Sequence, residues 1–319
     1  MGETVPFPKN YDWYKKEAMD YFLSGRMEEA IPFFEEAYRL EQDELLNTNY
    51  TTALYQVGEY QKAKEIADDK YSFYEQEESL ALFYTAILIK CHLFLQAEQA
   101  IVFRKKKFPL TDTSEENWSA VQELLEEEQT KIELEKQKKI DYLLKESYSL
   151  GNKSFTEQSA IMKELEEIPI EPFLKAVKPL LSNPYVNGII KATAIERLAI
   201  EKVAGEFDIY WMKEKKVVRP DLLTSIKNHA IVQEVLSLLS ERVEQYDPTL
   251  YQAMVQEVSL HFFVLYPFID DVITSPVEWV ELYQKRYDNS FVETTEPSLN
   301  SKRMEEWMQR IDQELMDLV

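Results

Sequence analysis

Residues 14–34 read YKKEAMDYFLSGRMEEAIPFF, and this stretch decides the fold. Tyr14, Ala18 and Tyr21 recur at three and four residues, which places them on one face of a helix. Ser24-Gly25 breaks the pattern, and Ala30, Phe34 and Ala37 begin a second stripe. The small Ala18 and Ala30 let two antiparallel helices approach closely, while the large residues fill the space around them. Asp12 to Leu40 is therefore predicted to be a helical hairpin.

The hairpin recurs. Gly58 and Ala63 repeat the five-residue step of Gly25 and Ala30 after 33 residues, with Tyr50, Ala53, Leu54, Tyr60 and Ala67 around them. A weaker third copy runs through Tyr84, Ile87, Leu88, Cys91, Ala97 and Ala100, with Leu95 standing 37 residues after Gly58. These residues resemble the tetratricopeptide repeat, with its aromatic, its Tyr and its Ala-x-x-x-Phe. The first copy fits throughout. The second departs at Ala67, and the third at Leu95 and Arg104. The resemblance spans about residues 11–108 and implies stacked helical hairpins with an inner wall free for a guest. The competing reading is a closed helical bundle with a chance repeat.

Composition sets the outer limits. The chain has 319 residues, 45% hydrophobic and 29% charged, a foldable composition of a size that suits two domains. Only six glycines occur, which disfavours Rossmann, P-loop and many-stranded β folds. The net charge of −22 disfavours nucleic acid and anionic membrane as partners. The basic clusters Arg104 to Lys107 and Lys213 to Lys216 are short, lie beside acidic stretches and read as solvated charge. A single cysteine, Cys91, forms no intramolecular disulfide and suits a reducing compartment. Met1 to Lys16 has no signal-like apolar core, and the Phe262–Tyr266 run is too short to span a bilayer, so a cytoplasmic location is expected.

Four segments are expected: repeats over 1–112, a long connecting helix over 113–150, a helical domain over 151–287, and a linker with an amphipathic helix over 288–319. Thr113 to Glu116 reads as a capping box, and the 113–150 helix would be on the order of 55 Å long. Its broken apolar stripe favours a bridge over a coiled-coil seam. Later helices are predicted at 155–167, 172–182, 185–204, 221–245, 249–265 and 277–287. Asn183-Pro184, Asp247-Pro248 and Ser275-Pro276 each place a capping side chain before a proline. Phe207–Trp211 and Val217-Val218, flanking Met212 to Lys216, predict a small β-hairpin near 206–219, with Ile209 or Trp211 packed on helices. The fold class is thus all-α, a tetratricopeptide-like solenoid followed by a second helical domain. Asn183-Pro184-Tyr185, Val218-Arg219-Pro220, and His261 to Phe268 followed by Trp279 are similar to the C-terminal region of uncharacterised tetratricopeptide proteins of low-GC Gram-positive bacteria. That likeness implies a two-part build and brings no catalytic residues with it.

Catalytic motifs are scarce. Cys91 and His92 point roughly 100° apart on a helix and share no face. Glu257 and His261 stand at i,i+4, a spacing a metal could use, but two ligands do not make a site. Asp270-Asp271 reads as a loop, and no GxGxxG, GxxxxGK[ST] or GxSxG occurs. No catalytic residue, metal or cofactor is therefore expected. The positive expectation is a non-enzymatic adaptor. The repeat resemblance implies a concave face formed by Lys15, Met19, Phe22, Thr48, Asn49, Thr52, Tyr55, Leu82, Thr85, Ala86, Ile89 and His92. Lys15 and Asn49 match the clamp by which some repeat proteins grip a C-terminal carboxylate, whereas Met19, Leu82 and Ala86 depart from it. The lining suits an amphipathic helix or an extended apolar segment of a protein partner, with Lys15 and Asn49 orienting it. The alternatives are an enzyme or small-ligand site in the C-terminal helical domain, needing polar groups around His229 or His261, and a peptide-sensing regulator, which would need a basic recognition helix. Met304, Trp307, Met308, Ile311, Leu315 and Leu318 form an amphipathic helix that caps the repeats or docks in cis or in trans, the last giving a homodimer.

Overall fold

The computed structural model describes residues 10–108, 111–287 and 298–316. The linker expected from residue 288, and Leu318, lie largely outside these. The chain divides into two compact units, Met1–Lys136 and Gln137–Val319, so the division falls inside the long helix of the sequence reading.

The first unit is a series of helical hairpins: α1 (Tyr11–Leu23) with α2 (Met27–Leu40), α3 (Glu44–Gln56) with α4 (Tyr60–Asp68), a short α5 (Tyr71–Tyr74), then α6 (Glu78–Lys90) with α7 (Phe94–Lys107). The hairpins repeat atom for atom at their turns. Gly25 at φ 77° and Gly58 at φ 84° take the left-handed conformation that closes a helix. The amide of Gly25 donates to Phe22 and that of Arg26 to Tyr21, and Gly58 and Glu59 donate likewise to Tyr55 and Leu54. In the third hairpin the same pair of bonds comes from His92 to Ile89 and from Leu93 to Leu88. His92, at φ 60°, therefore occupies the glycine position. This corrects the third register: the turn lies 34 residues after Gly58, not at Leu95, and Ala97 falls five residues on, fully buried like Ala30 and Ala63.

One register relates all three hairpins. Ala18, Thr51 and Thr85 each stand seven residues before the turn and are buried, because two helices cross there. A polar knot ties the first two hairpins together. Asn47 is fully buried. Its amide donates to Tyr38 Oη at 2.9 Å and to the Ile66 carbonyl at 2.6 Å, and its oxygen accepts from Tyr74 Oη at 3.0 Å.

Helix α8 (Asp112–Tyr148) opens on the same spacing as α1, α3 and α6, whose first residues are Tyr11, Glu44 and Glu78. Its first half behaves as the next hairpin's leading helix. Trp118 and Leu125 join the buried cluster of Ala81, Leu88, Ile89, Ala97 and Ile101. Trp118 Nε1 donates to Glu78 Oε1 at 2.8 Å, and Lys90 pairs with Glu128 at 2.5 Å. The cap differs from expectation: Thr111 Oγ1 accepts from the Ser114 amide at 3.2 Å, and the Ser114 hydroxyl is spent on Glu78. The basic run 104–107 is not simply solvated. Arg104 is buried and bonds the carbonyl and carboxylate of Glu75, and Lys107 donates to the same carbonyl.

The second unit continues from the C-terminal part of α8 through α9 (Phe155–Glu167), α10 (Ile170–Ser182) and α11 (Gly188–Ile200). Strands β1 (Phe207–Trp211) and β2 (Glu214–Val218) follow, then α12 (Ala230–Leu239), α13 (Pro248–Leu265), α14 (Ile269–Val272), α15 (Pro276–Tyr287) and α16 (Leu299–Met316). Ser154 and Glu157 form a complete capping box at α9. Asp247 caps α13 and Ser275 caps α15, as the sequence indicates. Asn183 follows the end of α10 and does not cap the start of a helix. Its side chain accepts from the Tyr185 amide in a turn, and Asn187 caps α11 instead. The 221–245 prediction is also broken: Pro220–Leu222 and Ile226–Asn228 are single 3₁₀ turns, and α12 ends in a π turn, Ser240–Glu244.

The antiparallel strands pair Phe207 with Val218 and Trp211 with Glu214, so the turn is Met212-Lys213, shorter than the predicted loop. An isolated hairpin is marginal in water. Here Trp211 anchors it: its Nε1 donates to the Val264 carbonyl at 3.2 Å, and its ring packs against Phe268 and Trp307. Lys216, in the second basic cluster, lies over Trp211 and Phe268 and pairs with Asp271 at 3.1 Å. The apolar face of α16 is used within the chain, with Met304, Met308 and Ile311 buried in this unit's core. A dimer through that face would first have to open it.

Candidate functional site

Three positions of the repeat face one way along the leading helices: ten, six and three residues before each turn. They are Lys15, Met19 and Phe22 on α1, Thr48, Thr52 and Tyr55 on α3, and Leu82, Ala86 and Ile89 on α6. On α1 and α3 all six are half-buried. Leu23 and Leu45, which the sequence reading passed over, extend this face and are 77% and 62% exposed. The signal was present, since Leu23 lies four residues after Met19 and Leu45 three before Thr48.

The polar members are already engaged. Lys15 Nζ pairs with Asp43 at 2.7 Å and donates to Tyr11 Oη at 3.0 Å. Burial disfavours the Asp43 charge, but the bonds from Lys15, Tyr11 and the Leu46 amide outweigh it and hold the carboxyl at about 2. Asn49 donates to the Met19 sulfur at 3.4 Å. Thr48 and Thr52 return their hydroxyls to the carbonyls of Glu44 and Thr48, one turn back. Tyr55 stacks edge-on against Tyr60 and Phe83.

The third hairpin departs from the expected lining. Thr85 is buried at the helix crossing with its hydroxyl on the Ala81 carbonyl, and Ile89 is fully buried with Trp118 and Leu125 of α8 in one cluster. His92 is exposed, but as the helix-terminating residue, with its ring 5.8 Å from that of Phe94. Thr85 and Ile89 are therefore corrected from wall to core, while His92 stays exposed at the turn. Leu82 and Ala86 of α6 remain half-buried, like their equivalents on α1 and α3.

The residues weighed for catalysis have local partners. Cys91 Sγ donates to the Tyr60 carbonyl at 3.2 Å, and burial pushes the thiol up, against nucleophilic use. His229 Nε2 meets Asp270 at 3.2 Å, while Asp271 pairs with Lys216, so the two aspartates diverge. Glu257 and His261 differ, because a third group, the carboxylate of Asp312, reaches them from α16. The second unit also holds a cavity of about 490 Å³ at the start of α11, lined by Asn187, Lys191, Tyr210 and Glu314 among others. Lys191 is 3% exposed there and donates to the Tyr210 carbonyl at 2.7 Å.

Fold and face together define an all-α protein of tetratricopeptide-like helical hairpins with a second helical unit. In agreement, the chain is 22% identical over 320 residues, 94% of its length and 90% of the relative's, to the TPR repeat-containing protein YsoA of Bacillus subtilis (strain 168). No protein-family model and no solved structure matches the chain. Among the described residues, no helix is long and apolar enough to cross a membrane.

Proposed function

We propose that the chain is a non-enzymatic adaptor that holds a segment of a partner protein on the face formed by α1 and α3. The observation that carries this reading is the apolar row of half-buried Met19, Phe22 and Tyr55 with exposed Leu23 and Leu45, carried on the first two hairpins. Such rows suit an amphipathic helix or an extended apolar segment. Because Lys15 and Asn49 are satisfied within the protein, the grip is apolar, and the Lys15–Asp43 pair shapes one end of the face. The net charge of −22 favours neutral or basic flanks on the partner and faster encounter at low salt.

A photo-cross-linking residue placed at Phe22 or Tyr55, compared with one at the exposed Glu35 of α2, tests this in cells. The expected result is a discrete adduct from the first two positions, absent at Glu35 and lost on Met19→Glu. Equal labelling from all three positions, or none, would overturn the assignment.

A further inference from the structure

His261 of α13 has none of its surface exposed. Its Nδ1 is hydrogen-bonded to the Tyr283 hydroxyl of α15. Its Nε2 has no hydrogen-bond partner. That nitrogen faces Glu257 Oε1 at 3.9 Å, one turn earlier on α13, and Asp312 Oδ1 at 3.7 Å, on α16. Both separations are too long for hydrogen bonds. They lie a few tenths of an ångström above the ligand–ligand spacing around a small dication, on the order of 3.3–3.5 Å when each bond is ~2.0–2.1 Å. All three ligand atoms fall within 4.8 Å of one another.

The surroundings hold these groups in place. Tyr287 donates to Glu257 Oε2. Arg286 spans both carboxylates, reaching Glu257 Oε1 at 2.9 Å and Asp312 Oδ2 at 2.7 Å. The guanidinium satisfies the acids but does nothing for the buried ring nitrogen, and an orphaned polar atom costs about 1–3 kcal/mol. Burial disfavours a charged imidazole at His261, against the pull of Asp312.

We propose that His261 Nε2, Glu257 and Asp312 bind a divalent first-row transition-metal ion of the Zn²⁺ class, which clasps the C-terminal helix α16 to α13. One imidazole with two carboxylates favours such an ion over Mg²⁺ or Ca²⁺, which prefer all-oxygen shells. Two carboxylates and one guanidinium leave a local charge of about −1, which a dication turns to about +1. With the metal on Nε2, Nδ1 donates to Tyr283, the outer partner that fixes the tautomer. A cavity of about 360 Å³, lined by Arg286, Met308 and Asp312 among others, borders the cluster on its Asp312 side.

Isothermal titration of the untagged full chain, stripped with EDTA, against Zn²⁺ tests the site, with Co²⁺ visible absorption as a second probe. One ion per chain is expected, with a rise in melting temperature. Glu257→Gln and Asp312→Asn should each weaken binding at least ~10-fold, and Tyr283→Phe by roughly 10-fold through the lost outer partner. Circular dichroism confirms folding of each variant. Asp312→Asn is the deciding variant, since its side chain is 25% exposed and the substitution spares the buried ring. No stoichiometric uptake by the wild type, or uptake undiminished in Asp312→Asn, would overturn the proposal.

Discussion

Residues 25, 58 and 92 do one job with two side-chain types. All three close a leading helix with the same pair of hydrogen bonds at positive φ. A side chain in that conformation costs roughly 1–2 kcal/mol relative to glycine, partly offset by glycine's greater freedom in the unfolded chain. His92→Gly should therefore raise stability by about 1 kcal/mol, and Gly58→Ala should lower it by a similar amount. Nothing lies within 4 Å of a Cβ built at Gly58, so the loss reports backbone conformation and not a clash. Urea titration of both variants measures the pair, and changes of the same sign would refute the shared register. Gly25 and Gly58 were legible because glycine advertises its conformation. His92 was not, because a histidine in left-handed geometry looks like any other, and the third repeat was consequently set three residues late, at Leu95. The same slip put Thr85 on the open wall, although its equivalents Ala18 and Thr51 are both buried at helix crossings.

At the scale of elements, local chemistry was readable where one side chain does one task. Asp247 and Ser275 cap the helices they precede. Asn183 carries the same signal, but an asparagine before proline also makes a turn, and a second asparagine four residues on took the cap. The contact of β1 with α11 holds a group that no local pattern reveals. Lys191 is buried beneath Tyr210, and burial pushes it down to about 8, with Glu314 opposing. An unfolded lysine titrates near 10.4. Between about pH 8 and about pH 10.4 the unfolded chain holds the extra proton, so this group adds stability as pH rises through that window. Below about pH 8 both states are protonated and the penalty is complete, on the order of 3 kcal/mol. Lys191→Met should flatten the pH dependence of unfolding in this window relative to wild type. The lost bond to Tyr210 costs about 1 kcal/mol but is independent of pH. Parallel curves for the two proteins would show that Lys191 titrates normally in the folded state.

For the molecule as a whole, the sequence announced an all-α chain and its acidity, yet it split the long helix from the repeats. Periodicity could not show that α8 begins in step with α1, α3 and α6, since its glutamate-rich surface hides Trp118 and Leu125 as two residues among many. Nor could it show that Asp312 joins Glu257 and His261, because the three meet only once α16 has folded back on α13. The fate of α16 is where architecture and energetics can be tested together. Met304, Met308 and Ile311 are buried, at roughly 1.5–3 kcal/mol per large apolar side chain, and Asp312 pairs with Arg286. Removing residues 299–319 should therefore expose α13 and α15 without touching the hairpins of the first unit. Hydrogen exchange resolves the two regions. Amides of α13 and α15 should lose protection by one to several orders of magnitude, following the lost burial energy at about 1.4 kcal/mol per factor of ten, while those of α1 to α4 stay unchanged. Added Zn²⁺ should restore nothing in the truncated chain, which lacks Asp312. Loss of protection spread evenly from α1 to α15 would instead mean that the chain unfolds as one cooperative body, and the division at residue 136 would have no energetic meaning.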